Sequence, residues 1–271
     1  MKHLKEGESG VASLWRITRV SLASSWRFQQ WKLELRRQRE QLMEETPKST
    51  KRTLLFIRHG QTTWNIEHLL SGQLSGVALT ETGREQAARL AEALKILPIT
   101  AVISSPLERA RDTAGYLAAS CELTVQVDDD LMDTNVGSWS GQKIEELSKA
   151  DPAWKAFVHD PTSAPEGVET FPQVQKRAVE AVERWLKLEE IGDYLAFVAH
   201  ADVVKLLLAH YMELDVKRAG WLSIDNASVS MVELEDEQRP RIVAIGWNPQ
   251  PGWLKPPAPP ASVLEKGSNN V

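Results

Sequence analysis

Two apolar runs in this sequence stop on a histidine. Leu54-Leu55-Phe56-Ile57 leads at once into Arg58, His59 and Gly60, with Thr62 and Asn65 close behind, and Leu195-Ala196-Phe197-Val198-Ala199 leads into His200. A third apolar run ends at Ser104-Ser105 and is followed within four residues by Arg109. Imidazole is a nucleophile and proton donor usable near neutral pH, and the guanidinium fork matches the oxygens of a phosphate group. Singly these residues are ordinary: a histidine after a strand is most often a satisfied loop residue, and an arginine in a helix's first turns a solvated charge. Together they are harder to ascribe to solubility, which does not require charges at the end of buried strands. In an open parallel sheet that end is where ligands bind, so His59 and His200 are expected to meet in one crevice, with Arg58 and Arg109 beside them.

The elements that would carry them alternate along the chain. "TLLFI" reads as a buried strand. "TETGREQAARLAEALKIL" reads as a helix with a Thr cap and a Glu in its first turn, and "ITAVISS" as a second buried strand. "PLERARDTAGYLAAS" is expected to start its helix at Pro106, the first position being where a helix tolerates proline. "YLAFVAH" is a third buried strand, followed by the apolar helix "DVVKLLLAHYMEL", which Asp202 is expected to cap; "ASVSMVELE" and "PRIVAIGW" form a late strand pair. Strands alternating with helices indicate an α/β protein, a three-layer α/β/α sandwich with a mostly parallel central sheet.

Composition bounds what such a domain does. The chain has 271 residues and 42% hydrophobic content, enough for a real core. A formal charge of -5 argues against a nucleic-acid binder of the usual basic kind. The single cysteine, Cys121, excludes an internal disulfide framework and any all-cysteine metal site, which fits a reducing compartment; the cytoplasm is the expected location. No apolar run reaches the ~20 residues of a transmembrane segment. Charge is uneven, however: between Met1 and Arg52 twelve Lys and Arg face six Glu. Residues 1–50 are read as a basic N-terminal extension, helical or disordered. Its simplest role is a solvated appendage or a helix packed on the body, and contact with a membrane surface or a protein partner is the alternative. A catalytic domain is expected over residues 51–248, and a Pro-rich tail over residues 249–271.

The ordered set of motifs resembles the histidine phosphatase superfamily, also called phosphoglycerate mutase-like. The opening Arg58-His59-Gly60 with Thr62 and Asn65 is similar to the family's first motif. The resemblance continues through "ALTETGREQA", "SSPLERARDTA", "GSWSG" and "PEGVETFPQVQKRA" to the surroundings of His200, from about Arg52 to Trp247. It implies a small-molecule phosphate ester as partner and no metal or other cofactor. By the same resemblance His59 is the nucleophile, Arg58, Arg109 and His200 surround the phosphoryl group, and Thr62 and Asn65 add neutral hydrogen bonds.

Two positions depart from the family pattern. The proton donor is commonly a glutamate in Leu-x-Glu; here "LMDTNVGSWSG" places Asp133 there, one methylene shorter, with Asp129 and Asp130 as alternatives. After the second histidine the family usually has glycine, and this chain has Ala201. Trp64 and Trp139 are candidates for the pocket lining, and the loop Pro165 to Thr170 for presenting backbone amides. The expected activity is metal-independent hydrolysis of a small phosphate monoester through a phosphohistidine. The alternatives are a phosphomutase of the phosphoglycerate mutase type and a catalytically degenerate phosphate-ester-binding protein. Mutases of this family tend to carry a longer basic insertion over the site, whereas residues 142–169 are few and hold only Lys143, Lys149 and Lys155.

Overall fold

The computed structural model describes residues 51–236 and 238–250, together with Gln30. The rest of the basic extension and the tail beyond Gln250 lie outside the described residues.

One six-stranded sheet organises the protein, in the order β3-β2-β4-β1-β5-β6. Its strands are β1 (Arg52–Arg58), β2 (Ala101–Ser104), β3 (Val125–Val127), β4 (Tyr194–Ala199), β5 (Val229–Leu234) and β6 (Arg241–Trp247). The first four run parallel, while β5 pairs antiparallel with β1 and β6 antiparallel with β5. The late strand pair is thus an antiparallel ribbon on one edge of an otherwise parallel sheet. β3 is short and mostly exposed, which is why no apolar periodicity announces it.

Strand alternation divides the core in two. Leu54 and Phe56 of β1, Ile103 of β2 and Leu195 and Phe197 of β4 pack on one face against helices α6 (Phe171–Leu186) and α7 (Ala201–Tyr211). Leu55, Ile57, Val102, Ala196 and Val198 pack on the other, against α2 (Glu81–Leu94) and α3 (Glu108–Ser120). Both faces of the central strands are therefore dry, as near-continuous apolar strand sequences require. A third, smaller cluster of Val136, Trp139, Leu147, Trp154 and Phe157 packs α4 (Ile144–Ala150) and α5 (Pro152–His159) together.

Two helix starts differ from expectation. Helix α3 begins at Glu108 with Leu107 as its N-cap, so Pro106 lies in the turn before it rather than at its first position. That turn is fixed instead by Ser105, whose Oγ accepts the Leu107 N–H at 3.3 Å. Helix α7 takes His200 as N-cap, in extended backbone, and Asp202 sits inside the first turn, paired with Lys205 at 3.4 Å. An acid there complements the helix dipole without being the cap.

The loop that follows His59 is locked against α2 and α3 by backbone and side-chain bonds, among them Gln61 N–H donating to Gln86 Oε1 at 3.0 Å. The Thr80 N–H donates to Gln61 O at 2.9 Å, and the Gly60 N–H donates to Thr113 Oγ1 of α3 at 3.0 Å. Helix α1 (Thr63–Ile66) is the single turn that ends this loop. A Cβ on Gly83 would fall 2.1 Å from Gln61 O, and one on Gly60 2.5 Å from Gly83 O. Glycine is needed at both sites because two backbones touch there. Gly83→Ala is expected to cost about 1–3 kcal/mol of stability, an overpacking cost, read as a lowered melting temperature; an unchanged melting temperature would show that the two segments separate easily.

Candidate active site

The site follows from strand register. Strands β1 and β4 are parallel neighbours with Arg58 opposite Ala199, and His59 N–H donates to Ala199 O at 3.0 Å. The next residue on each strand is a histidine, so the two rings are forced together at 5.2 Å between centroids. Strand β2 lies on the other side of β4 and ends one residue before Ser105, whose Oγ sits 2.9 Å from His200 Nε2. Both histidines are buried.

Hydrogen bonding fixes what each ring offers. His59 Nδ1 lies 2.7 Å from its own chain's Gly60 O. A carbonyl only accepts, so Nδ1 carries the proton and Nε2 is left with a free lone pair. Burial first, then His200, Arg58 and Arg109, hold the His59 imidazole well below the ordinary histidine range, so it stays neutral. His200 is held low as well, by burial and then by the Arg109 and Arg58 charges. When Ser105 Oγ donates to His200 Nε2, the remaining proton sits on Nδ1, which is buried without a hydrogen-bond partner.

Two guanidinium groups complete the cationic wall. Arg109, fully buried, donates to Gly72 O at 2.7 Å and Leu74 O at 3.3 Å, and lies 3.2 Å from Asp133 Oδ2. Arg58 donates through NH1 to Ile224 O at 2.7 Å. The Nε of each is a buried donor without a partner, as is His200 Nδ1. Buried donors are normally satisfied. Three unsatisfied donors on groups whose charge or ring reaches the His59 imidazole have the chemistry that an oxyanion needs.

Asp133 is the carboxylate that the fold brings to this group. Its Oδ2 lies 3.2 Å from Arg109 NH2 and 3.6 Å from His200 Nδ1, and its Oδ1 accepts the Thr134 N–H at 3.0 Å. Burial raises its carboxyl above the usual carboxylate range, against the pull of Arg109. The two other aspartates are turned elsewhere: Asp130 pairs with Arg184 at 2.9 Å, and Asp129 is exposed.

Thr62 and Asn65 spend their acceptors locally. Thr62 Oγ1 accepts the Asn65 N–H at 3.2 Å and Asn65 Oδ1 accepts the Thr62 N–H at 3.0 Å, a capping box for α1. Asn65 keeps its amide nitrogen as a donor. Asn226, which the sequence does not single out, ties Asn65 to the site by donating to Asn65 Oδ1 at 3.1 Å and to His59 O at 3.2 Å. Trp139 is not a pocket wall but packs edge-on to Trp154 at 5.2 Å and donates its indole N–H to Asp151 at 2.9 Å. The loop Pro165–Thr170 contributes a carboxylate rather than amides: the Val168 N–H bonds Pro165 O and the Glu169 N–H bonds Asn135 O, while the Glu169 side chain holds Arg177. Ala201 needs no left-handed backbone, because His200 is extended and the helix begins directly after it. Among the described residues no group of three or more His, Cys, Asp or Glu is arranged to hold a metal ion, and no helix is long and apolar enough to cross a membrane.

Comparison with known proteins gives the same grouping. Residues 54–248 match the model of the histidine phosphatase superfamily (branch 1). A probable phosphoglycerate mutase from Erwinia tasmaniensis is 32% identical over 71% of this chain and 88% of its own. A metal-independent phosphoserine phosphatase from Arabidopsis thaliana is 34% identical over 68% of this chain and 77% of its own. Among solved structures, a mycobacterial glucosyl-3-phosphoglycerate phosphatase in complex with VO3 superposes with a TM-score of 0.65 at 33% identity, covering 73% of this chain and 98% of that one. With the motifs in order, the fold matched and most of the chain covered, this protein belongs to branch 1 of the histidine phosphatase superfamily.

Proposed function

We propose that the protein is a metal-independent phosphatase that hydrolyses a small phosphate monoester by way of a phosphohistidine at His59. The observation that carries this reading is the 2.7 Å contact of His59 Nδ1 with Gly60 O, which presents a neutral Nε2 to the place where Arg58, Arg109 and His200 leave donors unpaired. In the first step Nε2 attacks phosphorus in line, the N–P bond forms and the ester P–O bond breaks. The departing oxygen takes the proton of Asp133. In the second step water attacks phosphorus, Asp133 takes its proton, the N–P bond breaks, and inorganic phosphate and free His59 are regenerated. The two arginines and His200 face the equatorial oxygens throughout, where charge is stabilised without reorganisation.

Hydrolysis rather than mutase chemistry is supported by residues 142–169, which are few and hold only three lysines. Of these, Lys149 pairs with Glu145 and Lys155 donates to Lys149 O at 2.9 Å, so two are committed to the helix surface. The names of the relatives include both activities, and the products decide between them: a phosphatase releases inorganic phosphate from glycerate and sugar phosphates, a mutase an isomerised ester with little free phosphate. Binding of such esters with no turnover on any of them would make the protein a binding protein.

The nucleophile is tested directly. His59→Ala is expected to abolish turnover of p-nitrophenyl phosphate and the acid-labile phosphoenzyme seen on rapid quenching. A variant that still formed that phosphoenzyme would move the nucleophile elsewhere. Asp133→Asn is expected to slow alkyl phosphates by about 10²-fold or more while p-nitrophenyl phosphate, whose leaving group needs no proton, falls far less. Equal losses would remove Asp133 from the role of acid.

The pH profile has a defined sign. His59 acts unprotonated and its imidazole is held low, so activity should persist on the acid side to below the ordinary histidine range. Asp133 acts protonated and its carboxyl is raised, so turnover of alkyl phosphates should fall as pH rises through that raised value. That alkaline fall should be absent for p-nitrophenyl phosphate; its presence with both esters would assign the limb to another group.

A further inference from the structure

Arg177 lies on α6, and every one of its donors is committed to the segment that carries Asp133 or to the residue that holds it there. NH1 donates to Asp130 O and to Met132 O, each at 2.7 Å. NH2 donates to Asp133 O and to Glu169 Oε2, each at 2.9 Å, and Nε to Glu169 Oε1 at 2.9 Å. Five N–H groups thus have five acceptors. Glu169 also accepts the Asn135 N–H at 2.8 Å, so the brace grips the chain on both sides of Asp133. Gln73 adds a second donor to Asp133 O at 2.9 Å.

We infer that Arg177, clamped by Glu169, is a positioning residue that sets where the Asp133 carboxyl meets the leaving group, acting on the acid through the backbone carbonyls of residues 130, 132 and 133 while its charge adds to those that hold His200 low. The inference rests on Asp133 being the proton donor proposed above. An aspartate makes such a brace consequential. With one methylene between backbone and carboxyl, its reach is set almost wholly by where its Cα lies, whereas a longer acid compensates by rotation. Misplacement by about 1 Å is enough to cost on the order of 10²-fold in a step that depends on geometry. The planar fork matters as well as the charge, because a lysine ammonium has three donors and cannot span three carbonyls and a carboxylate.

Arg184, two turns further along α6, provides the contrast. It binds the side chains of Asp128 and Asp130 at 2.9 Å, is half exposed, and touches neither Asp133 nor its carbonyl. It ties the same segment to the same helix without fixing the acid.

The test compares kcat and KM of the full-length protein and four variants, Arg177→Lys, Glu169→Gln, Arg184→Gln and Asp133→Asn, on p-nitrophenyl phosphate and on O-phosphoserine as an alkyl ester, with melting temperatures in parallel. Arg177→Lys and Glu169→Gln are expected to lower kcat for the alkyl ester by about tenfold or more, with p-nitrophenyl phosphate within about threefold and KM little changed. Arg184→Gln should leave the ratio of the two substrates at the wild-type value even where it lowers the melting temperature. Should Arg177→Lys not fold, Glu169→Gln, which removes a charge at constant shape, carries the same expectation. The inference is overturned if Asp133→Asn discriminates between the esters while the foldable Arg177 and Glu169 variants slow both equally or neither, since that is what a purely structural brace would do. If Asp133→Asn itself does not discriminate, the proton-donor reading falls and takes the inference with it.

Discussion

Everything in this site descends from the parallel pairing of β1 with β4. A parallel ladder carries adjacent strands to their carboxyl ends together, and the register that sets Arg58 against Ala199 makes His59 and His200 the next residues on each. Slipping the pair by one residue would move Leu54 and Phe56 to the face on which Leu55 and Ile57 pack, undo the fit of both cores, and separate the two rings at once. The hydrophobic core thus enforces the geometry of the polar site. Strand β2, on the far side of β4, is held by the same logic and delivers Ser105 to the second histidine.

Crowding five ionisable groups into a dry crevice would be ruinous were they all charged. Burial and the guanidinium charges together hold both imidazoles neutral. The two cations therefore also keep the lone pair of His59 available. Asp133 answers to the opposite pair of influences, raised by burial and drawn down by Arg109, and burial dominates. Burial thus moves the Asp133 carboxyl and the His59 imidazole in opposite directions, the acid up and the base down.

Much of this was legible in the sequence because it rests on local signals. The apolar strands, the Thr80 cap of α2 and the position of both histidines at strand ends are written in consecutive residues. The start of α3 was not, since Pro106 is compatible both with a helix's first position and with the turn before it, and only the Ser105 hydroxyl bond separates the two. Helix α6 carried a readable signal that went unused: Thr170 and Gln173 form a capping box and Val174, Ala178, Val179 and Val182 form its buried face. The supporting residues were illegible for a different reason. Arg177 lies 44 positions from Asp133, and Asn226 lies 167 from His59. No pattern along the chain marks such pairs, because what joins them is a side chain reaching a backbone carbonyl, and every residue has one of those.

The two departures from the family's motifs have a common physical resolution. A glycine after the second histidine matters only where the backbone must turn left-handed; here His200 is extended and Ala201 is already the first residue of α7, so alanine is accommodated without strain. An acid shorter by one methylene depends more closely on where its main chain is held; here Gln73 and Arg177 both donate to the Asp133 carbonyl, and the carboxyl lies 3.2 Å from Arg109. In each case what the changed side chain does depends on where the backbone is held. A motif read letter by letter registers both substitutions as losses, whereas the fold that carries the motif keeps the imidazoles, guanidinium groups and carboxyl in one cluster.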